Sequence, residues 1–234
     1  MHSPKLVKTL LIDGDIIGYR AAFSGDTERL AKNKVDDLMT FIIDKTLVFS
    51  SGNDYTSYLT GKGNFRYDVA VTVEYKGNRK KTEKPIYLEA CRNHVVDKWN
   101  GVVINGQEAD DAIGIAASKS DPETTVVASI DKDMLQIPCW HFNFSTGEYT
   151  FVTPESGNRS FYKQILTGDR ADNIVGLQGV GPVKAEKILG DSKTPQELYK
   201  AVLDAYDGDT TRVLENGQLL WLRREEGQMW EPPK

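Results

Sequence analysis

The spacing of apolar positions changes period several times along the chain. Residues 7–13, VKTLLID, form an apolar run bounded by Gly14, the pattern of a buried parallel strand. A short helix is predicted from Ile17 to Phe23, and residues 35–49 carry apolar side chains at helical spacing. DYTSYLTG (54–61) alternates as a strand does and ends on glycine. Residues 62–85 are rich in Gly and Lys and read as irregular, although 67–75 alternates. A helix over 86–98, a strand at 101–105, a helix at 108–118 and a strand at 124–130 follow. HFNF and YTFVT predict a hairpin around Thr146-Gly147. From residue 154 onward only helical segments remain, separated by Gly-rich turns.

Strands alternating with helices predict an α/β fold with a mostly parallel central sheet flanked by helices. The division that follows is an α/β core over 1–153 and a helical part over 154–234 completing the same compact unit. With 234 residues the chain has room for one sizeable core. No apolar run approaches the roughly 18 residues of a membrane span, and the N-terminus lacks a signal-peptide pattern, so a cytoplasmic protein without a membrane partner is expected. Cys91 and Cys139 stand in no metal-binding or disulfide spacing.

Acidic residues gather at one kind of place. Asp13 and Asp15 end the first strand, and Asp131 and Asp133 follow the strand at 124–130. Glu108, Asp110 and Asp111 open the helix after GVVIN, while Asp169 and Asp172 lie in TGDRADN after a helix. Ligands of open parallel sheets bind beyond the carboxyl ends of the strands, so the first three groups map to one sheet edge. Any one of these acids alone is a common turn residue or helix N-cap. Together they make a site that needs cations, because clustered carboxylates repel. Oxygen-only ligands favour Mg²⁺ or Mn²⁺, and two such ions roughly 3.5–4 Å apart are the usual device for phosphodiester cleavage.

The net charge of −5 argues against nucleic acid if taken alone. Those nine carboxylates account for it: without them the chain carries +4. YKGNRKKTEK (75–84) holds Lys76, Arg79, Lys80, Lys81 and Lys84, a solvated loop on composition alone but one placed to overhang the acidic edge. Tyr75 and Tyr19 are candidates to stack on bases. In GLQGVGPVKAEKILG, Gly179, Val180 and Gly181 run into a helix that opens with Val183 and Lys184, offering backbone amides and charge to a phosphate.

The strings LIDGDIIGYR, EYKGNRKK, EADDAIG, SIDKDMLQI and TGDRADNIVGLQGVGPVKAEKIL, in this order over residues 7 to about 190, resemble the 5′-nuclease (flap endonuclease-like) family. That family includes phage 5′→3′ exonucleases and the nuclease domain of bacterial DNA polymerase I, and the compact length and YKGNR look most like a phage exonuclease. The resemblance implies a PIN-like fold. It also implies a two-metal 5′→3′ DNA exonuclease with 5′-flap endonuclease activity, leaving 5′-phosphates, acting on a duplex with a 5′ end, nick or flap, and working as a monomer.

The resemblance further implies a first metal site of Asp13, Glu108 and Asp110 with Asp111 alongside, and a second of Asp131, Asp133, Asp169 and Asp172. Lys76 and Arg79 match a basic pair at the foot of an arch (about 76–99) that contacts the reacting phosphate. Arg20 matches a basic residue on the helix after the first strand. Residues 176–190 match a helix–two-turn–helix element that holds duplex DNA, often with K⁺.

Two departures stand out. Gly61 aligns with an Asp of relatives, for which Asp15 is the expected partial substitute, and the segment from Arg79 to Asn100 is short for a closed arch. Two other functions share parts of this pattern. A PIN-type ribonuclease has the same acidic edge, and a non-catalytic DNA-junction binder keeps the duplex-holding element.

Overall fold

β1 (Thr9–Asp13) explains why the sheet is central. Its residues alternate between two buried faces: Leu10 and Ile12 point into one apolar cluster, Leu11 into another. The computed structural model describes residues 3–46, 55–81 and 83–234, and the side chains of Lys80 and Lys81 fall outside that description. Residues 47–49 and 54 of the predicted helix and strand lie outside the described residues too.

β1 leads without a loop into α1 (Gly14–Ser24), then α2 (Glu28–Thr46) and β2 (Tyr55–Thr60). The stretch 62–85 holds a short α3 (Arg66–Val69) and a 3-10 turn, Gly77–Lys81. α4 (Leu88–Lys98), β3 (Gly101–Ile104), α5 (Ala109–Ser118) and β4 (Thr125–Ala128) complete the alternating part. A 3-10 helix, Lys132–Gln136, precedes the hairpin β5 (Trp140–Asn143) and β6 (Glu148–Phe151). The remainder is α6 (Pro154–Thr167), a two-residue ribbon of β7 (Gly168–Asp169) with β8 (Ile174–Val175), then α7 (Pro182–Leu189), α8 (Pro195–Ala205) and α9 (Thr210–Leu220).

The six-stranded sheet runs β3-β2-β1-β4-β5-β6, parallel throughout except for the antiparallel edge strand β6. α1, α2 and α4 pack together over one face. α5 covers the other, above Leu11 and Val127. A third cluster lies beneath α6 to α9 and takes in Tyr75 and Trp230. Cys91 and Cys139 are buried in different clusters. Among the described residues no helix is long and apolar enough to cross a membrane.

The alternation over 67–75 is not a strand. The amides of Val71 and Thr72 are taken by the Glu215 carboxylate of α9, at 2.9 and 2.8 Å, so this backbone has no neighbouring strand to pair with. Thr72 Oγ1 donates to the same carboxylate at 2.5 Å, and Arg212 pairs with it at 2.8 Å. The loop leading to Tyr75 and Lys76 is thereby fastened to the helical layer.

Candidate metal-dependent nuclease site

The acidic residues reach one cleft because each main group stands where a strand gives way to a helix. Asp13 is the N-cap of α1, its Oδ1 accepting from Ile16 N at 3.1 Å and its Oδ2 from the Ser129 hydroxyl at 2.8 Å. Asp131 caps the 3-10 helix, accepting from Asp133 N at 2.9 Å, while its own N–H donates to Ser129 Oγ at 3.0 Å. Glu108 caps α5, which carries Asp110 in its first turn. β1 and β4 are hydrogen-bonded neighbours, which brings Asp13 and Asp131 together, and α5, packed on β1, carries Glu108 and Asp110 to the same cleft. Asp13, Glu108, Asp110, Asp131, Asp133, Asp169 and Asp172 all line the cleft, with Lys76, Arg79, Tyr19 and Arg20 on its walls.

Charge is unevenly balanced across it. Lys76 Nζ pairs closely with Glu108 and lies 3.6 Å from Asp172, and Arg79 Nη2 is 2.5 Å from Asp172. Among the described residues no cation forms an ion pair with Asp13, Asp110, Asp131 or Asp133. Burial pushes the Asp13 carboxyl up to about 6. Burial, then Asp131, pushes Asp133 up to about 8. Asp110 is raised well above the ordinary range by burial and by Asp13, Glu108 and Asp131.

This half of the cluster is a set of hard oxygen donors with too little positive charge beside it, which fits a divalent cation. Among the described residues no three acids already converge on one point.

Three expected roles change. Asp111 is fully buried behind α5, not in the cleft. Arg66 grips it at 2.6 and 2.9 Å, and its oxygens also accept from Glu108 N at 3.1 Å and Arg223 N at 3.2 Å. It is a structural acid, withdrawn from any ion. Burial opposes the charge of Arg66, but Asp111 outweighs that and holds the guanidinium above its ordinary range.

Tyr75 does not stack on bases. It is 2% exposed, and its hydroxyl lies 2.6 Å from Asp172 Oδ2 and 3.0 Å from Glu108 Oε2, with one proton to share between them. Asp15 is no substitute ligand: Arg92 holds one oxygen and Thr60 N donates to the other at 2.9 Å. Gly61 itself has no room for a side chain, since a Cβ there would stand 2.3 Å from Asn105 Oδ1 and 2.7 Å from Ile104 O.

The other predicted residues fall in two places. Arg20 is exposed at the cleft wall, its guanidinium 5.8 Å from the Phe144 ring centroid. Lys76 sits in the left-handed region at φ 54°, fixed by its N–H to Asp172 O at 2.9 Å, while Asn78 and Arg79 donate to the carbonyls of Arg170 and Ala171. The basic turn is therefore docked on the 169–173 loop.

Gly179, Val180, Gly181, Val183 and Lys184 lie away from the cleft. Gly179 has φ +71° and Gly181 caps α7 without a side-chain hydrogen bond, so the first amides of α7 face outward beside exposed Lys184. Val180 is half-buried against the helical cluster.

Residues that escaped the sequence reading are the supports: Ser129, Arg66, Gln136 and Gln164. Gln164 Nε2 donates to Asp133 at 2.5 Å. Only a polar residue on a predicted buried face would have signalled them.

A family model for the 5′-3′ exonuclease N-terminal, resolvase-like domain matches residues 8–162. DNA polymerase I of Bacillus caldotenax is 27% identical over 221 residues, taking in 83% of this chain and 24% of that protein. A 5′-3′ exonuclease of Mycoplasma genitalium is 28% identical over 221 residues, 82% of this chain and 75% of that one. The chain thus spans about a quarter of the length of the polymerase. Among solved structures, the bacteriophage T5 D15 flap endonuclease in complex with DNA and metal ions superposes with a TM-score of 0.68 at 17% identity, covering 91% of this chain and 88% of that one. At that identity the superposition speaks for the fold.

Proposed function

The chain belongs to the 5′-3′ exonuclease family, whose members are metal-dependent nucleases, and from that premise we propose that it is a 5′→3′ DNA exonuclease with 5′-flap endonuclease activity, using two divalent ions and leaving 5′-phosphates. The observation that carries this reading is the set Asp13, Asp110, Asp131 and Asp133. These four carboxylates line one cleft, with no side-chain ion pair among the described residues, beside Lys76 and Arg79. When bound there, Mg²⁺ or Mn²⁺ supplies Lewis acidity at phosphorus and lowers the pKa of the attacking water.

The protein's own share is positioning. Asp13, Glu108 and Asp110 would hold the first ion, and Asp131 and Asp133, backed by Asp169 and Asp172, would hold the second. Lys76 and Arg79 contact the reacting phosphate and Arg20 the strand beside it. Gly179–Gly181 and the start of α7 would hold the duplex backbone through their amides, and K⁺ is the ion expected to assist there. Residues 1–153 form the PIN-like nuclease core, and 154–234 complete it as the duplex-holding part. The T5 flap endonuclease, solved with DNA and metal ions, supports this reading.

The test is digestion of a 5′-labelled duplex and a 5′-flap substrate with Mg²⁺, with Mn²⁺ and with EDTA. Cleavage with either ion and none with EDTA is expected; no cleavage with either ion overturns the reading. Asp131→Ala is expected to abolish cleavage and leave duplex binding intact or tighter, because a repulsive charge is removed. Cleavage of RNA in preference to DNA favours the ribonuclease alternative.

A further inference from the structure

The segment joining α9 to the chain's last residues is hydrogen-bonded to the supports of both halves of the acidic cluster, Arg66 and Asp111 on one side and Gln136 on the other. α9 ends at Leu220, and Trp221 is extended, with φ −68° and ψ 126°. The last carbonyls of α9 have no partner within the helix, and these and the extended residues after them meet different partners on two sides. On one side Arg66 Nε donates to Leu219 O at 2.8 Å and Arg66 Nη2 to Trp221 O at 3.0 Å, while Arg223 N donates to Asp111 at 3.2 Å. Arg66 and Asp111 stand directly behind the start of α5, where Asp111 also holds Glu108 N.

On the other side, the Gln136 side chain clamps the backbone as a strand would. Its Nε2 donates to Leu220 O and its Oε1 accepts from Leu222 N, both at 3.0 Å. Gln136 ends the 3-10 helix that carries Asp133, and Gln164, which donates to Asp133, lies 3.5 Å from it. The approach to α5 is close enough that a Cβ on Gly114 would stand 2.4 Å from Arg223 O.

We propose that Leu219–Arg223, gripped by Arg66 on one side and Gln136 on the other, is a brace that sets the separation between the Glu108/Asp110 and Asp131/Asp133 groups. The inference rests on the nuclease reading and extends it to residues beyond the matched domain, which ends at residue 162. Arg66, Gln136 and Gln164 are positioning residues, acting through the carboxylates and the segment that they hold. The physical ground is that two acidic groups on separate elements repel each other, and a common backbone hydrogen-bonded to both resists their parting.

The test uses the full chain, titrated with Mn²⁺ by calorimetry without DNA and assayed for cleavage across Mn²⁺ concentration. Gln136→Met and Gln164→Leu are each expected to weaken Mn²⁺ binding about tenfold, the usual loss when the support of a metal ligand is removed. Cleavage is expected to return at saturating Mn²⁺ with an unchanged KM for DNA. A purely structural role predicts a lower melting temperature with unchanged Mn²⁺ affinity, and that result overturns the brace. If Gln136→Met does not fold, Gln136→Glu decides, since it keeps the size of the side chain and an acceptor for Leu222 N and removes only the donor to Leu220 O. Gln164→Leu, which leaves every bond to the segment in place, reports the direct support of Asp133 alone. A wild-type chain that neither binds Mn²⁺ nor cleaves DNA sinks the nuclease reading and the brace with it. A wild-type chain that does both, beside variants of unchanged affinity, sinks the brace alone.

Discussion

Asp110 and Asp111 are neighbours in sequence and opposites in role. Asp110 faces the cleft among like charges, and Asp111 is sealed against Arg66. Their amides should therefore behave in opposite ways. Asp110→Asn removes a repulsion and is expected to raise the melting temperature of the metal-free protein while abolishing cleavage. Asp111→Asn leaves Arg66 buried without its counter-charge and is expected to cost about 3–5 kcal/mol in denaturant unfolding. Equal effects of the two changes would show that the roles are not separate. The pair was not distinguishable in the string EADDAIG, because which of two adjacent helical residues faces the sheet depends on how the helix is seated.

At the level of elements, each acidic group serves as a cap as well as a candidate ligand. Asp13, Glu108 and Asp131 all stand at helix starts, where backbone amides favour negative charge. The plain reading as helix caps thus leaves room for the functional one, since a carboxylate has lone pairs to spare after capping. α7 presents the other kind of helix start, with open amides and an exposed lysine. Lys184→Ala is expected to weaken duplex binding uniformly across sequences and to reduce the slope of log K against log salt by about 1. Binding measured over a salt series checks this, and an unchanged slope would remove Lys184 from the phosphate contacts.

For the whole molecule, folding works against the charge of the cluster. Asp13 and Asp133 titrate at about 6 and about 8 in the fold, above their ordinary 3.8. Between those limits the folded chain holds protons that the unfolded chain has released. The protonated carboxyls stabilise the fold at the acid end, and this contribution is lost as pH rises to about 8. Divalent ions bind the deprotonated form, so their stabilisation should grow over the same window. Melting temperatures with and without Mg²⁺ are expected to differ more near pH 8 than near pH 5, each about the stated value. Equal differences at both would mean that the ion binds elsewhere.

The sequence by itself determined the strand and helix order, the mostly parallel sheet and the edge at which acids gather, because apolar periodicity and the residues at strand ends are local signals. It also placed Lys76 and Arg79 correctly at that edge. What it left undecided was which polar groups face the cleft and which are walled off. Tyr75, Asp111 and Asp15 took structural roles because their partners (Asp172, Arg66 and Arg92) lie 97, 45 and 77 residues away. The brace at Leu219–Arg223 is made of backbone carbonyls and amides that every residue carries. No side-chain pattern marks it, and only the packing of α9 against α6 and α3 brings it behind the site.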